Sequence, residues 1–444
     1  MSEKDKQIKG LDEENKHLKK EIERLEIENK ELKKRLRAYE NPHTPPSKHI
    51  KRKVTTVKTP KKRGAPKGHK GVTRKTPAPD RIAELEPTIC PRCKAKKPRI
   101  LKKHRKTSED IQIVKVVTEF HYYDCFCEKC GKKFVTSSEE LPKKGRFGPT
   151  ISSLWTILHY VGTIPFDRLS LISKNCFDMT LSAAGMHNCI YRTAGVFEPY
   201  FRRIRNRVTK SGYVRSDETS YPFNEEKYWL WNISTPKDVL VLIRDSRGAK
   251  VLKEVFGHFL DGVLNSDCFS AYGRFKAREY QKCWAHILRD AKDLAKHSKE
   301  GEELYKMLSH MYNYIARAKD NGDENTAKVK HWIWRSKKNI NSWLDKNYES
   351  KAVLNLVLRM SKYMDQWFTC LKYPFVEPTN NSSERDIRKN VVARKISGLH
   401  RSQLGLRSRE IMMSTLLTQQ KRGRNPFEFV LNGIEKHNLR YHIS

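Results

Sequence analysis

Four stretches of the sequence decide its fold. Residues 213–217 are YVRSD, residues 228–233 are YWLWNI, residues 239–243 are VLVLI and residues 262–267 are GVLNSD. Each is a short run rich in β-branched and aromatic residues, which is typical of strands. A helical pattern around 249–259 separates the third run from the fourth. A fifth strand, Gln281 to Trp284, is expected to lead into a helix over 285–296.

This order of elements predicts a ribonuclease H-like α/β core. In that fold the first and fourth strands are neighbours, so Asp217 and Asp267 should meet although 50 residues separate them. A helix that arrives later can add a third acid. Glu384 is expected to begin such a helix, with Asn381 or Ser382 as its N-cap.

Three convergent carboxylates suit a divalent cation. Hard Mg²⁺ (or Mn²⁺) prefers carboxylate oxygens and retained waters, and such ions can catalyse phosphodiester chemistry. We therefore predict that Asp217, Asp267 and Glu384 are catalytic and bind Mg²⁺. Glu218 should point to the opposite face of its strand. Asp386 should pair with a nearby Arg or Lys.

The charge of the chain indicates a polyanionic partner. Lys and Arg number 90 against 51 Asp and Glu, a formal net charge of +39. Nucleic acid is the expected partner, and a merely basic protein is the alternative. The segment from Arg385 to Arg409 has eight Lys or Arg residues and one acid, Asp386. Its expected phosphate contacts are Arg388, Lys389, Arg394, Lys395, Arg401 and Arg407.

Targeting signals are not evident in the sequence. No stretch approaches the roughly 20 apolar residues of a membrane span. The N-terminus lacks an apolar signal core, so we expect a cytoplasmic protein that associates with the nucleoid when bound to DNA.

The N-terminal segment, residues 1–40, has a heptad pattern. Leucines recur every seven residues at one seam position, and the other seam position includes two asparagines, which favours a two-stranded coiled coil and hence a homodimer. A single solvated helix is the alternative. The seam residues are Leu11, Leu18, Leu25 and Leu32 with Ile8, Asn15, Ile22, Asn29 and Leu36.

A basic linker rich in proline and glycine follows over residues 41–80. Such a segment buries little apolar surface, and its cations can meet phosphates. We expect DNA contact from it, with a solubilising linker as the alternative. The residues concerned are Lys61, Lys62, Arg63 and Lys67.

Paired cysteines predict a zinc-binding module over residues 81–147. Two Cys-x-x-Cys motifs, Cys90/Cys93 and Cys127/Cys130, can bind a structural Zn²⁺ through four thiolates. Cys125 leaves open whether it or Cys127 is the ligand, and five buried or free thiols are the alternative. The intervening residues 111–117 and 119–123 are expected to be strands.

Two further regions are expected to be helical. Residues 148–210 are predicted to bind DNA, and Thr180 to Met186 could begin the second helix of a helix-turn-helix; a packing bundle is equally compatible. Residues 297–378 would be a helical insertion. Its tryptophans, at 332, 334, 343 and 367, are expected at packing positions.

The chain resembles transposases of the insertion-sequence-66 family. The resemblance spans nearly the full length and includes the zipper, the proline-rich break at 41–47, the basic segment 64–71 and the paired Cys-x-x-Cys motifs. Its most specific motifs are Asp217-Glu218-Thr219, Ser266-Asp267 with Ala271-Tyr272, Cys283-Trp284-Ala285-His286 and Asn380-Asn381-x-x-Glu384-Arg385. The sequence departs from the family pattern in the extra Cys125 and in Ser382-Ser383.

The resemblance implies a DDE triad of Asp217, Asp267 and Glu384 that cuts and joins transposon ends. Double-stranded DNA, as terminal inverted repeats and target DNA, would be the substrate, with element-encoded accessory proteins as possible partners. It also implies that Cys283 and His286 lie near the active site. The core would comprise residues 211–296 and 379–444. The alternatives are a non-catalytic zipper-dimerised, zinc-containing DNA-binding protein and a ribonuclease H-like nuclease.

Overall fold

A computed structural model describes residues 77–439, apart from 87, 90, 97, 225, 398 and 399. It also describes helical residues 14, 17–19, 21–29 and 32. The chain divides into two units, Pro45–Val117 and the remaining residues, Met1–Thr44 with Thr118–Ser444.

The N-terminal residues that the structure describes are helical. Leu18, Leu25 and Leu32 are each about half exposed in the single chain, at 51%, 54% and 54%. This helix agrees with the predicted secondary structure, while the coiled-coil dimer stays a prediction. The seam residues Ile8, Leu11, Asn15 and Leu36 lie outside the described residues, as do Lys61, Lys62, Arg63 and Lys67 of the linker.

The unit Pro45–Val117 has little regular structure in its described part. Ile89 and Lys96 form an isolated antiparallel bridge around a turn that contains Cys93. The strand expected over 111–117 is wrong: the described structure has no strand over these residues, and Val117 is 84% exposed. Branched side chains favour an extended backbone, but without a neighbouring strand no ladder forms.

A short hairpin lies near the start of the segment Thr118–Ser444. β1 (Asp124–Cys127) pairs antiparallel with β2 (Lys132–Val135). Gly131, at φ +69°, closes the turn, and its N–H donates to the carbonyl of Cys127 at 2.8 Å. The strand predicted over 119–123 is wrong: these residues form no strand in the described structure, and regular pairing begins only at Asp124.

Four helices follow the hairpin: α1 (Pro149–Tyr160), α2 (Phe166–Phe177), α3 (Ala183–Val196) and α4 (Glu198–Thr209). Helix α3 begins where Thr180 to Met186 predicted a helix start. Its N-cap Ser182 accepts a hydrogen bond from the Gly185 N–H at 3.1 Å, which satisfies a free donor of the first turn. These helices share one apolar core with the central sheet.

The central sheet has five strands in the order β5-β4-β3-β6-β7. They are β3 (Tyr213–Ser220), β4 (Trp229–Ser234), β5 (Val239–Arg244), β6 (Phe259–Ser266) and β7 (Lys276–Lys282). β3, β4 and β5 form an antiparallel meander, whereas β6 is parallel to both β3 and β7. The predicted adjacency of the first and fourth strands is confirmed. Short helices α5 (Lys250–Phe256) and α6 (Ser270–Gly273) flank β6.

A buried helix covers the free edge of the sheet. Helix α12 (Gln403–Lys421) lies along β5, and its side chains accept hydrogen bonds from β5 backbone N–H groups. Backbone donors that have no neighbouring strand are thereby satisfied. The bonds join Val239 to Thr418 at 3.0 Å, Val241 to Ser414 at 2.8 Å and Ile243 to Glu410 at 2.7 Å. Helix α13 (Pro426–Asn438) follows α12.

A helical insertion packs beyond β6 and β7. After α7 (Trp284–Leu294) come α8 (Lys299–Asn321), α9 (Ala327–Leu344), α10 (Lys351–Lys362) and two 3₁₀ turns, Met364–Trp367 and Thr369–Leu371. They form a second apolar core in which Trp343 and Trp367 are buried, with Trp332 packed against it. The expectation for Trp334 is wrong, because this side chain is 58% exposed. Helix α11 (Asn381–Ser397) then returns to the sheet.

The contact between β3 and β6 gives a test of the fold. A Cβ at Gly262 would lie 2.5 Å from the Gly212 carbonyl oxygen, whereas a Cβ at Gly273 meets nothing within 4 Å. Gly262→Ala should therefore lower the free energy of unfolding by about 1–3 kcal/mol, as overpacked sites do. Urea unfolding measures the loss. Gly273→Ala, the matched control, should cause none, and equal stabilities of the two variants would contradict the close pairing.

Candidate active site

Asp217 lies within β3, opposite Asn232 of β4. The strand continues to Ser220, so Asp217 is not the last residue of its strand. The parallel register pairs Tyr213 with Val263 and Arg215 with Asn265. Continued by two residues, this register brings Asp217 level with Asp267. Neighbouring strands are about 4.8 Å apart, so the two carboxylates occupy one edge of the site.

Asp267 directly follows β6 and is held from two sides. Its Oδ1 accepts from the Phe269 N–H at 2.9 Å, and its backbone carbonyl accepts from Lys282 Nζ at 2.8 Å. The Lys282 side chain also donates to Ser266 Oγ at 3.1 Å and is only 1% exposed. Because burial disfavours the charged form, the pKa of Lys282 is lowered. The buried Lys282 side chain thus holds the end of β6 through its bonds to Ser266 and to the Asp267 carbonyl.

Glu384 reaches the same place on the first turn of α11. The helix begins at Asn381, so the expectation that Asn381 or Ser382 is the N-cap is wrong. The preceding Asn380 is fully buried and ties the helix to the sheet instead: its side-chain amide donates to the Ser216 carbonyl at 2.8 Å. Its backbone N–H donates to Cys283 Sγ at 3.1 Å.

A second bond fixes the start of α11. Asn232, which pairs with Asp217 across the strands, donates through its side-chain amide to Ser383 Oγ at 2.7 Å. Ser383 is fully buried. The residue next to Glu384 is therefore bonded to the residue opposite Asp217, and the helix start cannot move far relative to β3.

The acids interact strongly. Burial raises the pKa of Asp217 to about 8, and the negative charges of Glu218, Asp267 and Glu384 add to the rise. Such a shift requires charges that lie near one another in a poorly solvated place. The structure thus places Asp217, Asp267 and Glu384 near enough for their charges to act on one another, although their ligand atoms do not all lie within 4.8 Å of one another in the described structure. Perturbation of this kind is common at functional sites.

Glu218 also belongs to this environment but has partners of its own. Arg247 Nε donates to Glu218 Oε1 at 2.9 Å, and the Tyr272 hydroxyl donates to Glu218 Oε2. Its side chain is 1% exposed. Since its oxygens are occupied, Glu218 is a supporting residue rather than a metal ligand. The sequence analysis did not predict Arg247 and Tyr272 as partners of Glu218, although Tyr272 lies in the Ala271-Tyr272 motif.

Cys283 and His286 lie beside Glu384, where the resemblance placed them. One ligand atom from each of the three residues lies within 4.8 Å of the others, and no other such group of His, Cys and acidic residues occurs among the described residues. His286 Nδ1 is 3.5 Å and Arg289 Nη2 3.6 Å from the Glu384 carboxylate. The Cys283 thiol is buried, which raises its pKa to about 11. Cys283, His286 and Arg289 thus surround the Glu384 carboxylate.

The basic residues of α11 are mostly at the surface. Arg388, Lys389 and Lys395 are exposed, and Arg394 is partly buried with a 3.3 Å bond to Ser220 Oγ. Asp386 pairs with Lys421 at 3.2 Å, as predicted for an acid in this segment.

Arg407, on helix α12, differs from the exposed cations of helix α11 because it forms ion pairs inside the protein. It pairs with Glu198 at 2.6 Å and with Glu410 at 2.8 Å, and its guanidinium lies over the Phe201 ring. Arg407 thus links α12 to α4 through two ion pairs, and its contact with phosphate stays a prediction. Arg401 is exposed.

The predicted zinc ligands are only partly described. Cys90 lies outside the described residues, and Cys93 belongs to the unit Pro45–Val117. In the hairpin, Cys125 and Cys127 are both partly buried and alternate with exposed residues. Backbone and side-chain hydrogen bonds from Cys130, with a further backbone bond from Lys129, lower the pKa of Cys127. This favours the thiolate that a zinc ligand needs, and the four-sulfur site stays a prediction.

Comparison with known families agrees with the resemblance. Residues 144–408, more than half of the chain, match the model of the transposase IS66 family, so the chain belongs to that family. It is thus related to DNA-processing enzymes that act in transposition. No curated protein matches the chain. Among the described residues, no helix combines the length and apolar character that crossing a membrane requires.

The acid cluster predicts an unusual dependence of stability on pH. With no Mg²⁺ or Mn²⁺ added, Asp217 should be protonated in the folded state up to a pH of about 8 and ionised above about 3.8 in the unfolded state. Within that window the folded state binds the extra proton, so stability should fall as pH rises, by at most about 1.4 kcal/mol per pH unit. Asp217→Asn should remove this slope.

Urea unfolding between pH 4 and pH 8 measures the effect. Asp217→Asn should be more stable than the wild type at pH 8, with a gap that closes toward pH 4. Asp245→Asn is the control, because Asp245 is exposed and pairs with Lys250 at 3.0 Å. A wild-type curve parallel to that of Asp217→Asn would show that the acids do not crowd one another.

Proposed function

We propose that this protein is a DDE transposase that cleaves insertion-sequence ends and joins them to target DNA. One observation carries the proposal: the register of β3 with β6 brings Asp217 level with Asp267, and Glu384 at the start of α11 is close enough to add its charge to the burial and the neighbouring acids that raise the pKa of Asp217. The order and direction of the five strands support a ribonuclease H-like core around them.

The acid cluster fits a divalent cation. Without one, burial and mutual repulsion leave Asp217 poorly stabilised as a carboxylate, and oxygen-rich acid clusters are what Mg²⁺ and Mn²⁺ prefer. Asp217, Asp267 and Glu384 would hold the metal, which would activate the attacking oxygen and stabilise the leaving one. Structural Zn²⁺ bound by Cys90, Cys93, Cys127 and Cys130 is a separate proposal.

The surrounding residues keep the three acids in position. Lys282 fixes the carbonyl of Asp267, and Asn380 joins the start of α11 to the backbone of β3. Arg247 and Tyr272 bond to the two oxygens of Glu218 and so fix the position of this neighbouring acid. Preorganisation of this kind places charges before the substrate arrives.

DNA binding is proposed to begin beside the acids. Arg388, Lys389 and Lys395 are exposed on the helix that starts near Glu384, and the net charge of +39 favours long-range attraction of DNA. The N-terminal coiled coil would make the protein a dimer on paired transposon ends, with the linker cations Lys61, Lys62, Arg63 and Lys67 as further phosphate contacts. We infer a cytoplasmic, nucleoid-associated protein.

Conservative substitutions test the proposed catalytic role. Asp217→Asn, Asp267→Asn and Glu384→Gln keep the shape of each side chain but remove a negative ligand. Each should slow cleavage of the element's ends in Mg²⁺ by about a thousandfold or more, since metal stabilisation of the transition state amounts to several kcal/mol. Single-turnover cleavage of a labelled duplex measures the rate.

Asp386→Asn serves as the control, because Asp386 lies on the same helix but pairs with Lys421. It should keep DNA cleavage within a few-fold of wild type. Retained cleavage in any of the three triad variants would overturn the assignment of that residue. Wild-type cleavage without joined products would instead support a nuclease on the same fold.

A further inference from the structure

The outer face of helix α9 has a composition that the catalytic proposal does not explain. Its 18 residues, Ala327–Leu344, include five cations and no acid. Only Lys337 among them has an ion-pair partner in the described part of the chain, Asp365. The other four side chains are exposed; they are Lys328, Lys330, Arg335 and Lys338.

Trp334 lies in the middle of this face. All eight tryptophans of the sequence are described, and the other seven are buried or partly buried. Trp334 is 58% exposed. This exposure leaves part of a large aromatic ring free to be covered by a ligand, and covering apolar surface is favourable in water.

The neighbours of Trp334 are an aromatic ring and cations, which suit a flat, anionic ligand. His331 stacks beside it, with ring centroids 5.7 Å apart and planes at 29°. Lys338 Nζ lies 5.8 Å from the ring centroid. His331, Trp334, Arg335 and Lys338 have the i, i+3, i+4, i+7 spacing of one helix face. An aromatic platform bordered by cations is the arrangement that binds nucleic-acid strands, with bases on the ring and phosphates on the cations.

A protein partner fits this face less well. Protein interfaces usually have an apolar centre around their aromatic anchors and few charges there. Around Trp334 the same face offers a histidine, an arginine and a lysine instead of apolar side chains. A protein partner that covered this face would also have to supply acids to pair with the four exposed cations, whereas the phosphates of DNA supply negative charge directly.

We propose that the outer face of α9 binds DNA and that Trp334 stacks on a base that is unpaired in the bound DNA. In an intact duplex the faces of the bases are covered by their neighbours, so a ring of this size can stack only where a strand is open. The inference rests on the proposed function, because it takes the substrate to be DNA. It adds to that function a second DNA surface, on the insertion rather than beside the acids.

Binding of fluorescent oligonucleotides tests the proposal in the full chain. The probes are a single-stranded DNA of random sequence and its duplex, without divalent cations, so that the acid cluster plays no part. Trp334→Ala should weaken single-strand binding about five- to hundredfold, the usual effect of losing one stacked base. Its effect on the duplex should be much smaller, and Trp334→Phe should keep most of the affinity.

Salt dependence separates stacking from charge. Lys338→Gln should reduce the slope of log affinity against log salt by about 0.7 for the single strand, because one phosphate contact is lost. Trp334→Ala should leave this slope unchanged. Lys306→Gln is the matched control on α8, since Lys306 is exposed and already pairs with Glu302 at 2.7 Å; it should alter neither affinity nor slope. Melting temperatures should be equal for all variants.

Three results would overturn the proposal. They are unchanged single-strand affinity in Trp334→Ala, an equal loss for single strand and duplex, and a change of oligomeric state in this variant with DNA binding intact, which would point to a protein interface. If wild-type protein binds and cleaves DNA while the α9 variants behave like wild type, only this inference fails. If the wild type binds neither probe, the proposed function fails with it.

Discussion

The parallel pairing of β3 with β6 is the constraint on which the candidate site depends. Gly212 and Gly262 meet at its start, where a Cβ on Gly262 would lie 2.5 Å from the Gly212 carbonyl oxygen. The register that follows pairs Arg215 with Asn265, and its extension brings Asp217 level with Asp267. A slip of one residue would turn one acid to the opposite face of the sheet. The paired backbones of β3 and β6 therefore set the separation of Asp217 and Asp267. They hold the two acids near each other although the carboxylates repel.

A network of neutral polar groups holds the third acid, Glu384, at the site. Asn380 bonds to β3 and to Cys283, and Ser383 bonds to Asn232 of β4. These groups are buried and hydrogen-bonded, so they specify one position for the start of α11 without adding charge. Positive charge is kept to the margin of the site: Lys282 contacts the main chain of Asp267, and Arg247 pairs with Glu218. Of the three acids, Glu384 has Arg289 at 3.6 Å and His286 at 3.5 Å, whereas among the described residues no ion pair forms at the side chains of Asp217 and Asp267, which leaves these two acids open to a metal.

Much of this core could be predicted from the sequence, because strand runs and their order are local patterns. The adjacency of the strands that carry Asp217 and Asp267 followed from topology and is confirmed by the pairing of β3 with β6. Contacts between distant segments could not be predicted. The bond of Asn380 to Ser216, the pairing of Arg407 with Glu198 and the exposure of Trp334 depend on tertiary packing. Likewise, residues 111–117 have strand composition but form no strand in the described structure, because strand formation depends on pairing that a local pattern does not contain.

Binding of Mn²⁺, followed by electron paramagnetic resonance of the free ion, tests the central claim most directly. Mn²⁺ prefers carboxylate oxygens over thiolates, so the predicted zinc cysteines should not interfere. The convergence of the three acids predicts that wild-type protein binds Mn²⁺ and that Asp217→Asn, Asp267→Asn and Glu384→Gln each weaken this binding by at least about tenfold, whereas Asp386→Asn does not. Equal Mn²⁺ affinity in the wild type and the three variants would contradict a metal site built from these residues.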